Sequence, residues 1–283
     1  MEIVETQAQA KAIIRSWKGQ KFSIGLVPTM GYLHEGHASL IRLARADNER
    51  VAVSVFVNPT QFAPGEDLAS YPRDFERDRE LCQSLGVDLI FHPQPVEMYP
   101  PGYATYVEAP SLSVNLCGRS RPTHFRGVLT VVLKLFALLG PDRAYFGLKD
   151  AQQFFIIKRM VEDLGLDLAM IPGPTVREPD GLALSSRNVY LSPAERSAAL
   201  VLQRALRAAE RLLRAGERRS DLILAEMRRI VVAETLARLD YAEIVETRGL
   251  SLIPQVTGQA LVAIAVFFGK TRLIDNFLWE AEA

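Results

Sequence analysis

Apolar residues in the N-terminal third of the chain follow two rhythms. Dense runs rich in strand formers occur at Ser23–Val27 and Val51–Val57. Between them, from Gly36, apolar residues fall at Leu40, Ile41, Leu43 and Ala44, the spacing of one helix face. Strand, tight loop, helix, strand reads as a βαβ unit with a parallel pair, its first strand broken by Pro28–Gly31. The same pattern predicts an opening helix over Thr6–Trp17 and a charged helix over Tyr71–Leu85. Strands are predicted at Val87–Phe91, Thr105–Glu108, Arg143–Phe146 and Leu166–Ile171. The stretch His124–Leu139 is apolar nearly all round and reads as a buried helix.

Pro172, Pro174 and Pro179 then punctuate the chain, and the pattern changes. Ser192-Pro193-Ala194-Glu195 is a capping box with proline at the first helical position. It opens a helix predicted to reach about Ala215, with Leu202, Leu206, Ala209 and Leu213 on one face. A second helix is predicted over Ser220–Arg238, then three antiparallel strands at Tyr241–Glu246, Gln259–Phe268 and Thr271–Phe277. The fold class expected is α/β. A parallel sheet with helices on both faces occupies residues 1–175, and a smaller C-terminal α+β domain occupies 176–283.

Composition changes the picture in three ways. With 33 basic and 33 acidic residues the formal net charge is zero, so no global field recruits nucleic acid or an anionic membrane. Any affinity for phosphate must be local. The two cysteines, Cys82 and Cys117, make no disulfide framework, and Cys82 reads as a small core residue. The N-terminus lacks a signal-peptide apolar core, and the longest apolar run, Leu261–Phe268, is too short to cross a bilayer. A cytoplasmic location is expected.

The candidate chemistry centres on His34 and His37, where the first loop becomes the helix. A helix N-terminus offers unpaired N–H groups and partial positive charge, a natural seat for phosphate. Gly36 removes a side chain between them. A half metal site is the rival reading, but the other histidines and cysteines have no ligand spacing. Two histidines that only cap the helix remain an alternative. Asn58 and Gln61 follow the second strand, at the edge where open α/β sheets bind ligands, although Asn-Pro is also ordinary turn chemistry. Asp78 is read as an approach to a nucleotide-bound Mg²⁺. Lys149 offers a mobile point charge beyond the fourth main strand, and Asp150 is either its partner or a helix cap. Arg119, Arg121 and Arg126 are either solubilising or functional charges. Ser185, Ser186 and Arg187 place two hydroxyls beside a planar charged fork, although Ser-Ser-Arg-Asn is also common loop composition. Arginine–glutamate interleaving on the C-terminal helices reads as a solvated face.

His34-Glu35-Gly36-His37 resembles the HxGH signature of the nucleotidylyltransferase superfamily. The longer stretch PTMGYLHEGH resembles the pantothenate synthetase (pantoate–β-alanine ligase) family. NPTQF, the CGRSRPTHFRGV segment, FGLKDAQQ, DGLALSSRN and TRLIDN extend that resemblance over nearly the whole chain. It implies a Rossmann-like first domain that binds nucleotide and pantoate, and a C-terminal lid. It implies ATP and Mg²⁺, with pantoate and β-alanine as substrates, in a homodimer with neither nucleic acid nor membrane as partner. Carried over by position, Met30, Gly31, Tyr32, Leu33, His34, Glu35, Gly36 and His37 contact ATP. Gly147, Leu148, Lys149, Asp150, Val176, Leu184, Ser185, Ser186 and Arg187 do the same. Gln61 contacts pantoate and β-alanine, and Gln153 contacts pantoate. Leu148 stands where the family has a polar residue, and Thr123 where it generally has glycine. His37, His34 and Lys149 are the expected catalytic residues, and Asp275-Asn276 receives no chemistry. The rival readings are a different nucleotidylyltransferase that releases a stable nucleotide product, and a non-catalytic nucleotide or RNA binder.

Overall fold

The computed structural model describes residues 1–280. The strands are β1 (Glu2–Val4), β2 (Ile24–Thr29), β3 (Arg50–Val55), β4 (Leu89–Phe91), β5 (Arg143–Gly147), β6 (Ala169–Gly173), β7 (Ala237–Glu246), β8 (Ala260–Phe268) and β9 (Thr271–Trp279). The first helices are α1 (Gln7–Gly19), α2 (Glu35–Asp47), α3 (Phe75–Ser84), α4 (Pro95–Met98), α5 (Cys117–Ser120) and α6 (His124–Leu139). They are followed by α7 (Ala151–Asp163), α8 (Pro193–Ala198), α9 (Val201–Arg214) and α10 (Ser220–Val232). The chain groups into two compact units. One comprises residues 1–109, 123–148 and 156–174; the other comprises 110–122, 149–155 and 175–283.

The first unit is a Rossmann-like α/β sheet of six parallel strands in the order β1-β4-β3-β2-β5-β6 with flanking helices. Leu26 and Val27 are both fully buried. Neighbouring strand residues face opposite ways, so β2 is covered on both faces, as a parallel sheet requires. Val27, Val51, Val53 and Ile90 of the sheet share one core cluster with Leu40, Ile41 and Ala44 of α2. The chain runs outward from β2 through β3 to β4 on one side, and through β5 to β6 on the other. Strand order therefore reverses between β2 and β5. The carboxyl ends there flank the crevice where open α/β sheets hold ligands.

The second unit contains an antiparallel sheet ordered β7-β8-β9. Leu202, Leu206, Ala209 and Leu213 of α9 pack with Ile223, Met227 and Val231 of α10 against Val262, Ile264 and Val266 of β8. The capping box at Ser192 forms as read, with Glu195 and Ser192 bonding each other's backbone N–H.

Several boundaries differ from the sequence reading. Pro28 lies inside β2, opposite Ser54, where the β5 ladder has already ended at Leu26–Ala144. The charged helix starts at Phe75 rather than Tyr71, because Pro72 holds Tyr71 off helical angles and Asp74 is the cap, accepting from Arg77 N–H. No strand forms at Thr105–Glu108; the Val107 N–H instead donates to the Thr130 hydroxyl. Leu166 is taken up closing α7: its N–H bonds Val161 O after Gly165 turns left-handed, so β6 begins at Ala169. Pro172 sits within β6, which is tolerated on an edge strand. The helix predicted to reach Ala215 is two, α8 and α9, broken at Ala199–Leu200. The helix predicted to reach Arg238 stops at Val232, and β7 starts at Ala237, opposite Phe268. The short N-terminal strand β1, paired with β4, was not predicted.

Candidate active site

The loop from Met30 to His37 leaves the carboxyl end of β2 and feeds α2. His34 is the N-cap of α2, and its Nδ1 accepts the Gly36 N–H at 3.2 Å. The His34 N–H in turn donates to Nδ1 of His37 at 3.2 Å, so the two imidazoles form a reciprocal capping box. An accepting ring nitrogen carries no proton, so each neutral ring keeps its proton on Nε2. The ring centroids lie 4.1 Å apart, tilted by 38°. The capping alternative and the phosphate reading are thus compatible, because the cap engages Nδ1 and not Nε2. Gly36 serves this arrangement directly, because a Cβ there would meet the His34 ring at 3.0 Å.

The turn before the histidines is held by a carboxylate. Gly31 (φ +79°) and Tyr32 (φ +51°) are both left-handed, which is uncommon for tyrosine. Asp78, almost fully buried on α3, accepts the Tyr32 N–H at 2.7 Å and the Leu33 N–H at 2.6 Å, one on each oxygen. Burial raises its carboxyl above the ordinary value, opposed by those two N–H bonds. Asp78, expected beside Mg²⁺, holds this turn with both its oxygens on backbone donors. Thr29 completes the turn, accepting the Gly31 N–H and donating to Ser54 O.

Gln61 stands at the end of β3 in a one-turn 3-10 segment, Pro59–Gln61, capped by Asn58. Its Oε1 accepts from Asn58 Nδ2 at 3.1 Å, and its Nε2 contacts the Met30 sulfur at 3.0 Å. Asn58 also donates to Gly127 O and accepts from the Tyr99 hydroxyl, so it works as the turn's scaffold. Burial pushes the Tyr99 hydroxyl up to about 12. His124 donates through Nδ1 to Gln61 O at 2.9 Å. Gly127 permits α6 to approach closely: a Cβ there would lie 2.4 Å from Thr60 O. Met30–His37 and Gln61 are thereby brought to one edge of the first unit. Gly147 and Leu148, leaving β5, share that edge because β2, β3 and β5 are parallel. Glu35 is exposed and paired with Arg42.

In the second unit, Lys149 is largely buried with its Nζ 3.8 Å from Asp150. Leu148–Asp150 is a 3-10 turn that runs straight into α7, so Asp150 is not a simple cap for that helix. Gln152 is buried and accepts from Cys117 N–H while donating to Asn115 O, whereas Gln153 is half-buried at the next position. Val176 and Leu184 pair across a tight hairpin closed at Gly181 (φ +99°). Ser185 caps the turn Ser186–Tyr190 and accepts the Arg187 N–H. Arg119 is engaged by Glu243, and in the first unit Arg126 is engaged by Glu108 and the Tyr106 ring. Among the described residues, no three His, Cys, Asp or Glu side chains cluster as a metal cage. None of the described helices is long and apolar enough to cross a membrane.

Sequence reasoning missed Asp78 as a clamp, His124 and Gly127 as supports of Gln61, and the partners of Asp275 and Asn276. For Gly127 the signal was a glycine inside an apolar helix, which marks a close approach.

Known proteins resemble this chain over almost its whole length. The sequence model of the family described as Pantoate-beta-alanine ligase matches residues 2–278. The chain is 55% identical over 276 residues to the pantothenate synthetase of Thermotoga petrophila, covering 98% of this chain and 99% of that one. It is 53% identical over 280 residues to that of Moorella thermoacetica, covering 99% of each. Among solved structures, the pantothenate synthetase of Thermus thermophilus superposes with a TM-score of 0.93 at 47% identity, covering 98% of this chain and 99% of that one. The Francisella tularensis ligase, complexed with beta-gamma ATP and beta-alanine, superposes with a TM-score of 0.81 at 36% identity, covering 98% and 97%.

Proposed function

The chain belongs to the pantoate–β-alanine ligase family, and on that footing we propose a division of labour among its residues. The enzyme condenses pantoate with β-alanine to pantothenate at the expense of ATP. A pantoate carboxylate oxygen attacks the α-phosphorus, the bond to the β-phosphate oxygen breaks, and pyrophosphate leaves. The neutral amine of β-alanine then attacks the acyl carbon of pantoyl adenylate, loses a proton, and expels AMP. Neither step needs a nucleophilic side chain. Catalysis is therefore positioning, and stabilisation of charge on phosphate oxygens.

In this reading the Nε2–H groups of His37 and His34 donate to the α- and β-phosphates, with His37 the main donor. Lys149, Ser185, Ser186 and Arg187 hold the β- and γ-phosphates. Met30–Leu33, Glu35, Gly36, Gly147, Leu148, Asp150, Val176 and Leu184 line the nucleotide. Gln61 binds both acids and Gln153 binds pantoate. A protein carboxylate together with the substrate phosphates would hold Mg²⁺, and the ion would supply neutralising charge there. The exposed Asp150 carboxylate beside Lys149 suits that requirement, and Asp78, with both oxygens bonded, does not. Residues 1–175 act as the nucleotide- and pantoate-binding domain and 176–283 as a lid. A homodimer in the cytoplasm completes the reading.

The observation that supports this most is the imidazole cap on α2 at the reversal of strand order, which keeps both ring protons on Nε2 at a helix N-terminus. The reading is tested by isotope exchange between labelled pyrophosphate and ATP. Exchange that requires pantoate, with AMP accumulating once β-alanine is added, is the expected result. Exchange independent of pantoate, or a stable nucleotide product, would overturn it in favour of another nucleotidylyltransferase.

A further inference from the structure

Two adjacent polar residues near the end of the chain are buried in β9: Asp275 is 3% exposed and Asn276 8%. Burying a carboxylate and an amide is costly unless each is bonded, and here each is bonded to a segment assigned above to ATP. Asp275 grips Arg177 with both oxygens, at 2.7 and 2.9 Å, in a bidentate fork. Nη1 of Arg177 also donates to Gly181 O at 3.1 Å, so this ion pair ties the start of the 176–184 hairpin to its tip and to β9. Asn276 donates through Nδ2 to the carbonyl of Lys149 at 2.8 Å. The Asn276 N–H donates to Asp275 Oδ1 at 2.8 Å, coupling the two anchors. Glu178 braces the hairpin's far side, accepting from Asn188 and Arg196.

We propose that Asp275 and Asn276 are positioning residues for adenylate formation. Asn276 fixes the backbone from which Lys149 reaches the phosphates. Asp275, through Arg177, fixes the hairpin that delivers Ser185–Arg187. The proposal rests on the assignment of Lys149 and Ser185–Arg187 to the nucleotide phosphates. It gives TRLIDN a role in the reaction although neither residue touches substrate. A merely structural pair would lower stability and slow both chemical steps alike. A positioning pair slows the first step alone, because only that step builds charge on the β- and γ-phosphates that Lys149 and Ser185–Arg187 hold.

The test is single-turnover kinetics of both steps, the second started from synthetic pantoyl adenylate and β-alanine, for Asn276→Ala, Lys149→Ala and the double variant. Asn276→Ala is expected to slow adenylate formation about 10- to 100-fold, the scale of a small misplacement of a catalytic group, with the second step unchanged. In the Lys149→Ala background the same change is expected to add less than about 3-fold, since both act through one group. Arg177→Lys, which keeps the charge but loses the fork, is expected to slow the first step alone. If Asn276→Ala does not fold, Asn276→Asp keeps the volume and removes the donor. Equal slowing of both steps, normal adenylation by the Asn276 variant, or full multiplication of its effect with that of Lys149→Ala would overturn the positioning role. Normal adenylation by Lys149→Ala would instead overturn the underlying assignment of Lys149, and the Asn276 arm with it.

Discussion

The two units hold the residues proposed to bind phosphate in opposite ways. In the first, the turn from Gly31 to His37 is fixed mainly from within: His34 and His37 cap one another across three positions, and Asp78 adds a remote clamp. In the second, the hairpin ending at Leu184 and the Lys149 backbone are fixed from far along the chain, by Asp275 at a separation of 98 residues and Asn276 at 127. The difference is one of where the ligand-binding groups lie. Imidazole has two nitrogens, so one can cap while the other donates, and scaffold and chemistry share a side chain. Lysine and arginine have no acceptor to spare for such a cap, so their placement must come from other residues.

The sharpest way to break this contrast is to remove both imidazoles. The double variant His34→Ala/His37→Ala loses two phosphate donors and the cap together. Pantoate-dependent pyrophosphate exchange should fall by more than about 10³-fold, with α2 still formed by circular dichroism. A fall of only a few-fold would mean that the histidines are caps and nothing more. Next comes the clamp. Asp78→Ala leaves two buried N–H groups without their acceptor, a cost of about 1–3 kcal/mol each. Urea unfolding should register that loss, and exchange should drop about 10- to 100-fold as the turn loses its place. Asp78→Asn, which keeps one acceptor, should lie between. Gly127→Ala should act on substrate binding instead. Its Cβ would press on Thr60 O, costing about 1–3 kcal/mol of stability and raising KM for the acids more than it lowers kcat.

The smallest effect is on the pH dependence of stability. Burial raises the Asp78 carboxyl above its ordinary 3.8. A group raised in the folded state contributes stability that is full below the unfolded value and lost as pH rises through the folded one. Wild type should therefore lose stability relative to Asp78→Asn as pH rises just above 3.8, a slope that paired urea titrations would read. A difference that stays flat across that window would mean burial does not govern the carboxyl.

Much of this was legible in the sequence where the determinants are local. The βαβ unit, the buried helix His124–Leu139 and the capping box at Ser192 each rest on residues a few positions apart, and each formed where its pattern placed it. Boundaries failed where a distant partner or a cap competed with periodicity. Thr105–Glu108 has strand-like residues but meets the Thr130 hydroxyl instead of a ladder, and Leu166 is spent on closing α7. The same limit governs the site. The histidine pair announces itself by spacing, whereas Asp78 looks like one more charge on a charged helix. Only the fold reveals that it faces inward to two backbone donors. Asp275 and Asn276 are ordinary polar letters until β9 places them against Arg177 and Lys149.

The most direct test of the central claim is step-resolved kinetics of His37→Ala. If His37 donates from Nε2 to charge building on the phosphates, adenylate formation slows about 10²- to 10³-fold, and β-alanine attack on supplied pantoyl adenylate slows much less, because there the α-phosphate alone gains charge. Adenylate formation at the wild-type rate, or equal slowing of the two steps, would contradict it.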